Sequence, residues 1–154
     1  MYPVLILLHS WLRWAVVLLG LWAVFTAISG RSSGRAWSPQ DDAAGRFYTI
    51  LFDVQFLIGL LLYLFASPIV AAAREEIGVA MANSATRFWL VEHAVGMIAA
   101  VAFAHVGRVR VRRATSDRTR FTRAATFYGI SLLLTLLSIP WPGLPYGRAL
   151  LRGF

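Results

Sequence analysis

Four apolar stretches, at roughly residues 3–29, 47–66, 88–106 and 124–139, leave this 154-residue chain few ways to fold. Each approaches the ~20 residues with which a helix crosses a hydrocarbon core. The fourth is the shortest and sits at the lower limit. One such run is compatible with a buried helix of a soluble domain, but four in so short a chain are not. Only 14% of residues are charged, against about 25% in an ordinary soluble domain. The expected class is all-α: a single integral membrane domain over residues 1–154. With short connections, its expected architecture is an up-down-up-down four-helix bundle. The first run is too long for a signal-peptide core and no small-x-small cleavage pattern closes it, so it reads as a retained helix.

Charge orients the helices. The net charge of +8 comes from fifteen arginines and no lysine. Seven of them (Arg108, Arg110, Arg112, Arg113, Arg118, Arg120 and Arg123) fall in the loop 107–123 against one acid, Asp117. Such an excess marks a cytoplasmic loop, here facing anionic lipid head groups rather than nucleic acid. Loop 30–46, with Arg31, Arg35 and Arg46, then lies on the same side. Loop 67–87, whose Arg74, Glu75, Glu76 and Arg87 cancel, is external, as are both termini. The expected location is a bacterial cytoplasmic (inner) membrane, crossed several times. Pro3, Ser29-Gly30, Ser32-Ser33-Gly34, Ser67-Pro68 and Ile139-Pro140-Trp141-Pro142-Gly143 punctuate the runs. Trp11, Trp14, Trp37, Trp89 and Trp141 lie mostly near their ends, as interfacial aromatics do.

The absence of cysteine excludes disulfides, thiolate metal sites, iron–sulfur clusters and covalent haem attachment. The polar residues inside the apolar runs are then the chemically informative ones. A histidine in lipid is costly unless something uses it. His9 lies six residues past Pro3 and His93 six past Arg87, each ~9 Å deep at 1.5 Å per residue. The first and third helices of an up-down bundle are diagonal neighbours, so the two residues can face one another across the core. His9 shares a face with Arg13, Val16 and Gly20, and His93 with Gly96, Met97, Ala100 and Ala104. Small residues there make room for a flat macrocycle, although they also allow close helix packing. The expectation is one b-type haem, with His9 and His93 as axial ligands and Arg13, Gly20, Gly96, Met97 and Ala100 around it. A hydrogen-bonded histidine pair, another metal and a proton relay remain open alternatives.

His105 lies twelve residues past His93, rotated ~120° from it, with no further histidine to complete a second site. It reads as interfacial and is retained as an alternative ligand; a quinone contact there has no other support. Arg13 and Asp53 lie at similar depth and are expected to pair inside the bundle, because an unpaired charge there costs several kcal/mol. External Arg87, Arg148 or Arg152 can meet haem propionates. Glu92 is either a partner of His93 or an interfacial acid.

The segments His9-Ser10-Trp11-Leu12-Arg13-Trp14, Gln55 to Tyr63, Ser67-Pro68, Val91-Glu92-His93 and Ile139-Pro140-Trp141-Pro142 together resemble small bacterial four-helix integral membrane proteins that carry the label cytochrome b. The resemblance spans nearly the whole chain. It implies a b-type haem held by transmembrane histidines, with His9 and His93 on the family's histidine motifs. Some relatives have histidine where this chain has Asp53, so the resemblance implies no second haem here.

Two functions follow as expectations. One is a membrane electron-transfer protein exchanging electrons with quinol or a redox protein. The other is a cofactor-free accessory subunit of a larger membrane complex or a homo-oligomer. A transporter or channel fits less well, since no internal repeat or broken midplane helix is visible. No nucleophile–base arrangement, phosphate loop or carboxylate dyad points to an enzymatic activity.

Overall fold

Local chemistry sets each helix end. The computed structural model describes residues 1–151, and its first helix, α1, runs over Tyr2–Ser33. Pro3 occupies the first turn, where its missing N–H costs nothing. Gly34 stops the helix in left-handed backbone, φ 67°, which a residue without Cβ adopts freely. Ser38 opens α2 (Pro39–Leu61) with a capping box: its hydroxyl accepts from the Asp41 N–H, and the Asp41 carboxylate accepts from the Ser38 N–H. The same carboxylate accepts two 2.6 Å hydrogen bonds from Arg35, which push that guanidinium above its ordinary pKa.

A π-helical turn, Leu62–Ala66, carries α2 to Ser67, whose side chain caps α3 (Pro68–Glu75). Two short helices follow, α4 (Ile77–Ala82) and α5 (Ser84–Arg87). A second π-helical turn, Phe88–Glu92, leads into α6 (His93–Arg112). Ser116 caps α7 (Asp117–Leu137) by accepting from the Thr119 N–H. The chain is therefore all-helical, with no strand among the described residues.

The helices overrun the apolar runs. The connections expected at 30–46 and 107–123 shrink to 34–38 and 113–116, because arginine is a good helix former and its long stem lets the head reach water from a helical backbone. The expected external loop 67–87 holds three short helices. Three helical stretches, Tyr2–Ser33, Pro39–Ala66 and Ser84–Arg112, are long and apolar enough to cross a membrane. The fourth run lies in α7, which is not among them; arginines in its first two turns and hydroxyl side chains further along dilute its apolar character.

α1 packs against α2 and α7, and α6 packs against the same two, so α1 and α6 stand diagonally. The interior is built from small residues, Ala23, Ala27, Ala44, Ala100 and Ala104, around the large side chains of Tyr48, Phe52, Phe121 and Tyr128. Large apolar side chains point outward instead: Leu18, Phe25, Leu57, Ile98 and Leu137 are all more than half exposed. Small residues inside and large apolar ones outside is the pattern of helices packed in lipid rather than in water.

One buried hydrogen-bond chain ties three helices together. Ser131 Oγ donates to the Ala100 carbonyl at 2.7 Å, so its oxygen accepts from Tyr48 OH at 2.8 Å. At the arginine-rich end, Arg108 clasps Asp42 through both carboxylate oxygens at 2.6 and 2.9 Å, joining α6 to α2. Trp37 stacks obliquely on Phe121, 4.9 Å between ring centres. Both short connections therefore sit at one end of the molecule, and α3, α4 and α5 at the other.

Candidate functional site

His9 lies in α1 and His93 opens α6, so two imidazoles approach from the diagonal helices. Their ring centres are 6.2 Å apart and their planes cross at 72°. Both line one cavity at the end away from the arginine-rich connections, with walls from α1, α2, α6, the end of α7 and the tail beyond it. Along α1 the lining runs from Tyr2 to Val16, about 21 Å of helix.

Each ring is held differently. His93 Nδ1 lies 2.9 Å from the Ser138 carbonyl oxygen. A carbonyl only accepts, so Nδ1 carries the proton and Nε2 is left as the lone-pair nitrogen. Ser138 comes this close because Gly96 has no Cβ; one built there would run into Ser138 Oγ. Phe88 and Trp89, from the second π turn, lean on the His93 ring with centres 5.7 Å away. Tyr63, in the first π turn, donates its hydroxyl to the Leu90 carbonyl at 2.9 Å and so braces the two π turns against each other. Such turns recur at functional sites because the extra residue re-aims its neighbours. His9 rests on Gly59, where a Cβ would lie 2.9 Å from His9 Cε1. One turn earlier, Gln55 donates its amide to the His9 carbonyl at 2.9 Å.

Three buried polar atoms of the lining residues lack a hydrogen-bond partner among the described residues: His9 Nδ1, Arg13 Nε and Gln55 Oε1. Each costs about 1–3 kcal/mol if nothing meets it. The described lining contains two guanidiniums, Arg13 and Arg148, and no carboxylate. The tail closes the cavity from the side. The Leu150 carbonyl accepts from Arg13 Nη2 at 2.6 Å and from Trp14 Nε1 at 3.0 Å. Tyr146 stacks on Phe88 at 3.6 Å, and the Arg148 guanidinium lies over the Trp89 ring.

Of the residues nominated from sequence, His9, His93, Arg13 and Met97 line this cavity, whereas Gly20, Gly96 and Ala100 do not. Gly20 gives its space to Tyr48 and Leu132, and Gly96 to Ser138. Ala100 is fully buried, its carbonyl taken by Ser131. These small residues serve helix packing rather than cofactor room. The expected Arg13–Asp53 pair does not form: Arg13 bonds the Leu150 carbonyl, and Asp53 bonds His105 Nε2 at 2.7 Å. Depth matched, but azimuth did not. Asp53 is two residues, ~200° around the helix, from Gln55; with Gln55 turned to α1, Asp53 faces α6. Glu92 pairs with Arg87 at 2.7 Å and leaves His93 to Ser138. His105 lies ~18 Å along α6 from His93 and outside the cavity lining. Arg152 lies outside the described residues.

Sequence reasoning passed over Gln55, Gly59 and Ser138 as parts of this site. Gln55 and Gly59 carried a signal, an amide and a missing side chain four residues apart on one face of an apolar helix. Ser138 carried none, since its backbone carbonyl makes the contact. No protein-family model, curated protein or solved structure matches the chain.

Proposed function

We propose that the chain is a membrane-embedded b-type haem protein of the bacterial cytoplasmic membrane, a four-helix bundle that carries electrons, with one haem between His9 and His93. The observation that carries this reading is the pair of imidazoles on diagonal helices with centres 6.2 Å apart. Two imidazoles presented from facing helices would serve as the two protein donors to the haem iron. No group of three or more His, Asp or Glu side chains among the described residues is placed to hold a bare ion. A macrocycle that brings its own four nitrogens needs only the two.

The donor set and the cationic walls fit this group. His9 and His93 would hold the iron, and Ser138 fixes the His93 tautomer, as a carbonyl partner does for metal-bound histidine. Gly59 and Gln55 set the position of His9. Arg13 and Arg148 would meet the haem's acidic substituents, and the described lining holds no carboxylate to compete. When bound, the haem supplies one-electron redox chemistry, its potential set by axial ligands, burial and hydrogen bonds. The electron partner is a quinol in the bilayer or a redox protein.

The size of the void favours a second reading, the cofactor-free accessory subunit. It measures about 110 Å³, room for several waters and less than a porphyrin fills. One experiment separates the two. The chain is expressed with added haem precursor, purified from membranes in detergent, and its reduced-minus-oxidised spectrum recorded. The haem reading expects a sharp α-band, lost in both His9→Ala and His93→Ala. Colourless wild-type protein selects the accessory subunit. A band retained in either variant moves the ligand assignment.

A further inference from the structure

Outside the cavity, one polar pair sits where an apolar surface is expected. Asp53 is the only charged residue of the stretch 47–66, seven residues and ~10 Å beyond Arg46 along α2. Its carboxylate meets His105 Nε2 between α2 and α6 at 2.7 Å, with His105 49% and Asp53 45% exposed. One turn away on either helix the exposed neighbours are apolar: Ile50 and Leu57 on α2, Val109 on α6. Arg108, the nearest cation along α6, is occupied by Asp42. A half-exposed acid–base pair set in a lipid-facing apolar belt is costly unless a polar group covers it.

We propose that Asp53 and His105 form a lipid-facing site for the phenolic hydroxyl of a membrane-soluble quinol. The inference rests on the membrane-spanning reading of α2 and α6 but not on a haem. A ligand that reaches this pair comes through the bilayer, so its body is apolar. The carboxylate only accepts hydrogen bonds, so in the neutral ring Nε2 carries the proton and donates it to Asp53. In that form Nδ1 is a lone-pair acceptor, which a hydroxyl donor on the ligand matches. Carboxylate, imidazole and hydroxyl in line is the arrangement by which an acid orients a base toward an O–H group. A phenol ionises near ~10, as tyrosine does, and is a far stronger hydrogen-bond donor than an aliphatic lipid alcohol. The flanking Ile50, Leu57 and Val109 give its ring and tail apolar contact.

The test uses the full chain, extracted from membranes and reconstituted in phosphatidylcholine nanodiscs, with a short-chain benzoquinol and its dimethyl ether as probes. Binding is read by tryptophan fluorescence, and the haem spectrum is read on the same sample. The quinol is expected to bind at least tenfold more tightly than the ether. His105→Phe and Asp53→Asn should each remove that preference while leaving ether binding unchanged. Equal binding of quinol and ether to the wild type overturns the proposal without any variant needing to fold. A long-chain aliphatic alcohol that competes as well as the quinol overturns the phenol assignment. If His105→Phe instead halves the mass of the reconstituted particle and the quinol does not bind, the pair joins two copies of the chain and the proposal fails. A chain found in the soluble fraction refutes the membrane reading, whereas a colourless but quinol-binding sample refutes only the haem.

Discussion

At the scale of single residues, Gly59 sets the space in which the His9 ring stands. A methyl group there would lie 2.9 Å from His9 Cε1, too close for a ring to tolerate without moving. Gly59→Ala should therefore leave the helices assembled but displace the imidazole, at about 1–3 kcal/mol of overpacking. The expected result is a weakened or shifted α-band and a lowered unfolding midpoint; an unchanged spectrum and midpoint would remove Gly59 from the site. Arg13 and Asp53 offer a second test, because they belong to different clusters. The destabilisations of Arg13→Leu and Asp53→Leu should add to within about 0.5 kcal/mol in the double variant. Rescue of one by the other in detergent unfolding would mean that the two side chains meet after all.

Among elements, the buried chain from Tyr48 through Ser131 to Ala100 is the polar link between α2, α7 and α6. Tyr48→Phe removes one hydrogen bond and should cost about 1 kcal/mol. Ser131→Ala takes away the 2.8 Å acceptor of the buried Tyr48 hydroxyl, leaving it only Thr135, and should cost about 1–3 kcal/mol. The double variant should be no worse than Ser131→Ala alone, which equilibrium unfolding in mixed micelles measures; strict additivity would show that the link carries no coupling. The elements themselves were legible to different degrees. Apolar runs mark where hydrocarbon begins and ends, so they located α1, α2 and α6 yet ended them early at arginines that stay helical. The Ser67-Pro68 break and the Gly34 stop were readable because capping chemistry is local, whereas Ser29-Gly30 proved no stop, since α1 runs on to Ser33. The two π turns were not, since one inserted residue leaves hydropathy unchanged while rotating Trp89 and His93 onto their partners. The meeting of His9 with His93 from diagonal helices followed from counting residues. The true partners of Arg13 and His93 did not, because backbone carbonyls of the tail, Leu150 and Ser138, carry no side-chain signature.

For the whole molecule, the two arginine-bordered connections share one end, and the charge rule assigns that end to the cytoplasm. The chain has no cysteine, so single reporters can be added on a clean background. In intact cells or spheroplasts, a membrane-impermeant maleimide should label Gly78→Cys and spare Ser33→Cys and Thr115→Cys, with the pattern reversed in inside-out vesicles. Labelling of all three from one side would break the proposed topology. The closure of the cavity by residues 138–150 also bears on how the protein is made. Arg13 and His93 are both made before the groups that hold them: the carbonyl that holds Arg13 lies 137 positions later and the one that holds His93 lies 45 later. During synthesis the Arg13 guanidinium stays without this partner until Leu150 has been made. A chain halted after Leu137 would contain every long helix and still lack the two carbonyls that hold Arg13 and His93.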